Sequence, residues 1–149
     1  MPETLRQQIV DAIEQRMKMI RQINGYETDI GENIFWWLES PLTIEDLPGM
    51  ICRDRVNKRS AGLGIYDNTM QVEIEAKNEG SMGSEDVRNI IADIERVVAL
   101  DETWGGLAFG TEIVEDEIMV EQNEYTIAAV KLTLTIEYRT VRFDPYTQA

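Results

Sequence analysis

Residues 126–140 read TIAAVKLTLTIEYRT, and the fold is read outward from this stretch. Val130, Leu132, Leu134, Ile136 and Tyr138 point one way; Lys131, Thr133, Thr135, Glu137 and Arg139 point the other. Strict alternation of this kind marks a strand with one apolar and one polar face. A run of about 14 residues at ~3.3 Å each spans roughly 45 Å, whereas ordinary strands hold about 5–6 residues. A compact chain of this size is roughly 35 Å across. The expectation is a strand that overruns its own sheet and needs cover for its unpaired edge, most simply from a neighbouring subunit. The alternative is a bulge or bend, for instance near Ala128-Ala129.

The preceding stretch, 111–121, reads as the other arm of a hairpin, with a tight turn at Gln122-Asn123 and the long strand over 124–139. Further back, 69–77 alternates as well, with Met70, Val72, Ile74 and Ala76 inward and Gln71, Glu73, Glu75 and Lys77 outward. ENIFWWLES at 32–40 is aromatic-rich and apolar on both faces, so it reads as a strand buried on both sides. A short strand at 50–54 follows a proline-bracketed connection at 41–49, and 78–84 reads as a flexible link.

Two helices complete the set. Over 3–23, Leu5, Ile9, Ile13, Met17 and Ile20 form one stripe, with Pro2 and Glu3 in the first turn and Asn24-Gly25 as the stop. Over 85–100, Val87, Ile90, Ile91, Ile94, Val97 and Val98 form a second, with Ser84 as cap and Asp93 and Arg96 as a surface pair. Trp104 in the loop that follows reads as a lid over the core. The sum is α+β: one antiparallel or mixed sheet, two main helices packed on one face, and a long C-terminal β-hairpin, within a single domain of 149 residues.

Composition removes much chemistry. The chain has no histidine, so a Ser-His-Asp or Cys-His triad is impossible within it and the common zinc sites lose their ligands. The single cysteine, Cys52, reads as a small buried residue. SAGLGIY holds Gly62 and Gly64 but lacks the third glycine and the following helix of a nucleotide loop. No apolar stretch is long enough to span a membrane, and the N-terminus lacks a signal-peptide core, which predicts a cytosolic protein where it is made. Neither a cofactor nor a metal is expected. Lys+Arg 14 against Asp+Glu 28 leaves a net charge of −14, which repels nucleic-acid phosphates.

That charge is unevenly spread. Arg53, Arg55, Lys58 and Arg59 fall together in a stretch, 53–68, that reads as a polar loop. Glu112, Glu115, Glu117 and their acidic neighbours make the first hairpin arm a run of carboxylates. The basic residues are either solvated or a contact for an acidic partner, including another copy of the chain. If the two patches lie on opposite sides of a protomer, they join head to tail, and such contacts close into rings when the rotation permits. The outward face of the long strand, Lys131, Thr133, Thr135, Glu137 and Arg139, also suits a wet or inter-subunit surface.

INGYETDIGENIFWWLESPLTIEDLPGMICRD, DETWGGLAFGTEIVEDEI and the terminal EYRTVRFDPYTQA together resemble the tail terminators, also called tail-completion or minor tail proteins, of long-tailed bacteriophages and prophages. The shared features are Ser40-Pro41 with Leu47-Pro48 downstream, the Trp104-Gly105-Gly106 loop, Tyr138-Arg139-Thr140 and Asp144-Pro145-Tyr146. The resemblance implies an α+β fold, a homo-oligomer in the form of a hexameric ring, and no catalytic residues. It implies a ring on the head-proximal end of the tail tube, which stops polymerisation and offers the surface that joins the head. The implied partners are the tube protein and a head-completion or connector protein, and DNA passes through the ring without sequence-specific binding. The implied location is the virion, with assembly in the host cytoplasm. Three other readings stay open: another connector or minor tail component, an acidic DNA mimic, and a hydrolase using Glu115 and Glu117 as paired carboxylates.

Overall fold

The computed structural model describes residues 2–79, 83–122 and 126–149. The expected Gln122-Asn123 turn and Glu124 lie at or beyond the edge of the described residues. The elements are α1 (Leu5–Met17), β1 (Ile34–Trp36), β2 (Gly49–Ala61), β3 (Ile65–Glu79), α2 (Gly83–Ala99), β4 (Gly110–Gln122), β5 (Thr126–Val141) and β6 (Asp144–Gln148). They form one mixed six-stranded sheet in the order β1-β2-β3-β5-β4, with β6 beside β5. The α+β expectation is correct.

The alternating stretch is the long strand, and it lies inside the sheet instead of overrunning it. β5 pairs antiparallel with β3 from Ile65↔Val141 to Glu79↔Ile127. On its other side it pairs with β4 from Gly110↔Glu137 to Gln122↔Thr126. The backbone expected to need an outside partner is thus used within the chain. The unpaired edge passes to β4 instead.

Register places the apolar residues of neighbouring strands side by side. Ala76↔Val130, Ile74↔Leu132, Val72↔Leu134 and Met70↔Ile136 form successive rungs, all with both members buried. Each helix lays its stripe on this face: Leu5, Ile9, Ile13 and Met17 from α1, and Val87, Ile90, Ile94 and Val97 from α2, all join one core cluster with those rungs. Apolar burial of this kind stabilises by about 25 cal/mol per Å² removed from water.

Helix ends differ from the sequence expectation. α1 begins at Leu5 because Thr4 caps it, its Oγ1 accepting from Gln7 N at 3.0 Å. It ends at Met17, six residues short, because the chain turns to bury Ile20 in the core cluster that also holds Ile30. That turn closes on Gly31, whose N–H donates to Ile20 O at 3.0 Å. The Asn24-Gly25 stop ends a short 3-10 turn instead, with Gly25 at φ 91. α2 starts at Gly83, one residue before the expected Ser84 cap.

The stretch expected to be a polar loop, 53–68, is two strands. β2 runs on to Ala61 and β3 starts at Ile65, joined by Gly62-Leu63-Gly64 with Gly64 at φ 73. β1 is three residues long and half-buried, not buried on both faces, because Trp37 at φ 57 turns the chain away from the sheet. Asp93 is not a surface residue. Its carboxylate is fully buried and accepts from Glu27 N at 3.1 Å, Thr28 N at 2.8 Å and Thr28 Oγ1 at 2.7 Å, with Arg96 3.6 Å away. It pins the 25–31 segment to α2. Trp104, 2% exposed, is the expected lid: its Nε1 donates to Thr111 Oγ1 at 2.7 Å and the Arg16 guanidinium lies 4.8 Å from its ring.

Two substitutions test this packing. A Cβ on Gly31 meets the backbone oxygens of Met17 and Ile20, so Gly31→Ala should lower stability by about 2 kcal/mol in a urea melt. Asp93→Ala strands two backbone donors beside a buried cavity and should cost about 3 kcal/mol by the same measurement, with Asp93→Asn costing less.

Candidate functional site

The helix-free face of the sheet gathers most of the residues singled out in the sequence. By register, Arg53 lies beside Glu73, which lies beside Thr133, which lies beside Glu115. The row on one side runs Ile51, Glu75, Lys131, Glu117; on the other, past the β2 bulge, come Val56, Gln71, Thr135, Glu112 and then Lys58, Thr69, Glu137, Gly110. Charges of opposite sign interleave across these rows, the arrangement that stabilises cross-strand neighbours.

The ion pairs follow. Arg53 Nη1 meets Glu75 Oε1 at 3.0 Å and its Nη2 donates to Leu38 O at 3.0 Å. Arg55 Nε meets Glu73 Oε2 at 3.0 Å, and Lys131 Nζ lies 3.8 Å from Glu73 Oε1. Arg139 Nε meets Asp67 Oδ1 at 2.7 Å. Four of the candidate contact residues are therefore engaged within the chain, by Glu73 and Glu75, which the sequence reading turned to solvent, and by Asp67, which it placed in a polar loop. Arg55 also stacks on Trp37 at 5.9 Å, and Arg139 on Phe109 at 5.1 Å. Thr133 is buried and Thr135 half-buried, so neither is an open contact.

The remaining candidates are exposed or carry no ion pair among the described residues: Lys58, Arg59, Glu112, Glu115, Glu117 and Glu137. They do not converge. Lys58 and Arg59 sit on β2, and Glu112, Glu115 and Glu117 on β4, three strand spacings away or about 14 Å. Basic and acidic patches thus lie toward opposite edges of one sheet. Lys58 shares a face with the acids, while Arg59 turns to the helix side, beside Asn68.

Both edges are open. β4 is the last strand in the sheet order, and Val114, Ile118 and Met119 on it are 55%, 48% and 38% exposed. An open groove of about 620 Å³ between β4 and α2 is lined by Glu95, Glu102, Glu112, Glu115 and Asp116. On the other side, β1 covers β2 only from Met50 to Cys52. From Arg55 to Ala61 the outer edge of β2 has no neighbouring strand among the described residues.

Glu115 and Glu117 share a face, two residues apart on an exposed edge, beside an open groove and not an enclosed cavity. Among the described residues no group of three or more His, Cys, Asp or Glu converges as a metal would need. Cys52 is fully buried, and desolvation pushes its thiol far above the usual range, helped by the charge of Glu14.

No family model matches the chain, and no curated protein matches it.

Cys52 gives a direct check on the packing beneath this face. Its alkylation by iodoacetamide in the folded protein should be roughly a thousandfold or more slower than in urea, since reaction needs opening of the core. Comparable rates in both states would mean the β1–β2 end of the sheet is not closed.

Proposed function

We propose that the protein is a structural subunit that assembles through its two unlike sheet edges, and that its role is that of a tail terminator in a long-tailed bacteriophage or prophage. The single observation that carries the reading is the open sheet, with carboxylates and exposed aliphatics along β4 and a partly uncovered, basic β2 at the other side.

Edge strands of a protein that works alone are covered, shortened or blocked. Here β4 is 13 residues long and no strand covers it among the described residues. Its carboxylates disfavour pairing with another β4, because like charges would face each other. They favour the basic edge of the next copy. Strand directions support the same join. β2 and β5 run one way, and β3 and β4 run the other. If copies sit side by side with their strands aligned, β4 of one meets β2 of the next antiparallel, the stronger pairing.

A heterologous contact of this kind closes into a ring when the rotation permits. In the terminator role the ring caps the tube at its head-proximal end, stops its growth and presents a surface to a head-side connector. The helix-free face, rich in carboxylates, would not grip DNA phosphates passing beside it.

Native mass spectrometry with and without purified tail tubes tests the reading. The expected result is a closed oligomer that binds tube ends and blocks further polymerisation of tube protein. Binding to heads with no affinity for tubes would move the role to a connector. A strict monomer that ignores both would remove the phage reading. Lys58→Glu, at a residue with no ion pair among the described residues, should weaken association by about tenfold or more in sedimentation, leaving the thermal melt nearly unchanged.

A further inference from the structure

A second feature lies where the open half of β2 meets the N-terminal end of α1. A cleft of about 320 Å³ opens there. Its floor is polar and closed off from water: Asn68, Tyr138 and Thr140 are 3%, 4% and 6% exposed. Asn68 Nδ2 donates to Tyr66 O at 3.2 Å and Thr140 Oγ1 at 3.3 Å, and Tyr138 OH donates to Asn57 Oδ1 at 2.8 Å. One wall is aromatic, Tyr66 and Phe143 meeting edge to face at 5.5 Å. Phe143 is held at φ 60 and is 79% exposed. A bulky residue in the left-handed region, presented to solvent, is a conformation the surrounding turn must enforce.

The rim is cationic. Arg6 spends Nε and Nη2 on Asp54, at 2.7 Å and 2.6 Å, and its Nη1 makes no hydrogen bond among the described residues. Arg59 has no ion pair among the described residues. Asp144 also borders the cleft, but its carboxylate is turned to its own loop, accepting from Tyr146 N at 3.1 Å and hydrogen-bonded by Thr147. In a protein of net charge −14, a mouth that keeps Arg59 without an ion pair and one Arg6 nitrogen without a hydrogen bond among the described residues, beside an aromatic wall, stands out. It fits a guest that alternates carboxylate and apolar side chains.

The chain carries such a segment. On β4, Asp116 and Ile118 sit two residues apart on the helix side of the sheet, opposite Leu132 and Val130, and both are exposed. The cleft takes Thr140 of β5, eight residues further along than Leu132, so about 26 Å separates the two on one strand. The arm cannot bend back into its own cleft. It can enter that of another copy.

We propose that this cleft receives the acidic β4 arm of a second copy, with the Asp116 carboxylate between Arg6 and Arg59 and Ile118 against Tyr66 and Phe143. The inference rests on the head-to-tail reading above and sets the second copy shifted along the strands, so that its β4 arm reaches the cleft beside the uncovered half of β2. Charge and apolar complementarity carry it: the arm has both, exposed, at one end of the molecule, and the cleft has both at the other. Two arms or two clefts do not complement each other, so the contact is polar in direction.

Charge exchange in the full-length chain tests the pairing. Arg59→Glu and Asp116→Arg should each weaken self-association by about tenfold or more in sedimentation. Mixing the two variants, or combining both changes in one chain, should restore it, while circular dichroism melts stay close to the parent. Where self-association of the parent is too weak to follow, the acetylated and amidated peptide of residues 112–119 is titrated into the ¹⁵N-labelled protein. Shifts should centre on Arg59, Asn68, Tyr138 and Phe143, fade with salt, and vanish when its Asp and Glu are replaced by Asn and Gln. Association unchanged by Arg59→Glu, no recovery in the exchanged pair, or peptide shifts elsewhere would each overturn the proposal. The terminator role fails separately. Copies joined through the cleft but indifferent to tail tubes leave the seat standing and remove the role. Tube capping that survives Arg59→Glu does the reverse.

Discussion

The structure depends on one ladder, the antiparallel pairing of β3 with β5 from Ile65↔Val141 to Glu79↔Ile127. Register in a sheet is all or nothing. A slip of one residue would carry Met70, Val72, Ile74 and Ala76 to the face without helices, and bring Glu73 and Glu75 under α1 and α2. The cost of burying those carboxylates against isoleucine fixes the alignment. Once it is fixed, the neighbours have no freedom. β2 and β4 take the outer sides, the two helices cover the apolar rungs, and polar side chains are left to deal with one another on the other face.

What was legible in the sequence follows from that same burial. β3, β5 and the stripes of α1 and α2 show a clear period because one face of each is dry. The first half of β3 and the second half of β2 show none. There the sheet extends past most of the helix cover, so Arg55, Lys58, Ser60, Asp67 and Thr69 satisfy cross-strand neighbours instead of a core, and the alternation of apolar with polar is lost. The hairpin signal was still present in Gly62 and Gly64, flanking the single residue Leu63. Asp93 was misplaced for a different reason. Its spacing to Arg96 matches a surface pair, but it lies between Ile90 and Ile94 on the stripe itself. A carboxylate inside an apolar stripe calls for buried donors, here the backbone of residues 27 and 28.

The candidate contacts were half legible. Clustering of like charge located the basic and acidic groups correctly along the chain. It did not reveal that Glu73 and Glu75 of β3 already answer Arg53 and Arg55 across the strand, because sequence spacing says nothing of cross-strand distance until the hairpin is recognised. The excess of carboxylates then takes on a definite location. Cations near the centre of the sheet are matched locally, and the unmatched acids collect on β4, where no strand lies beyond them among the described residues.

An unmatched edge constrains assembly more than an unmatched patch does. A patch accepts many orientations, whereas a strand edge requires backbone donors and acceptors to align within about 5 Å of a parallel or antiparallel partner. Adding like charges to that edge removes the two-fold solution, in which the edge meets its own copy. For the proposed assembly, what remains is an unlike partner. In the protomer the unlike edge is β2 beyond Cys52, where β1 stops because Trp37 turns out of the sheet and its Nε1 is taken by Asp54 at 2.7 Å. The short length of β1 is therefore consequential. One more paired turn of chain there would cover the basic residues of β2, and the acidic edge of β4 would have no complementary strand to meet.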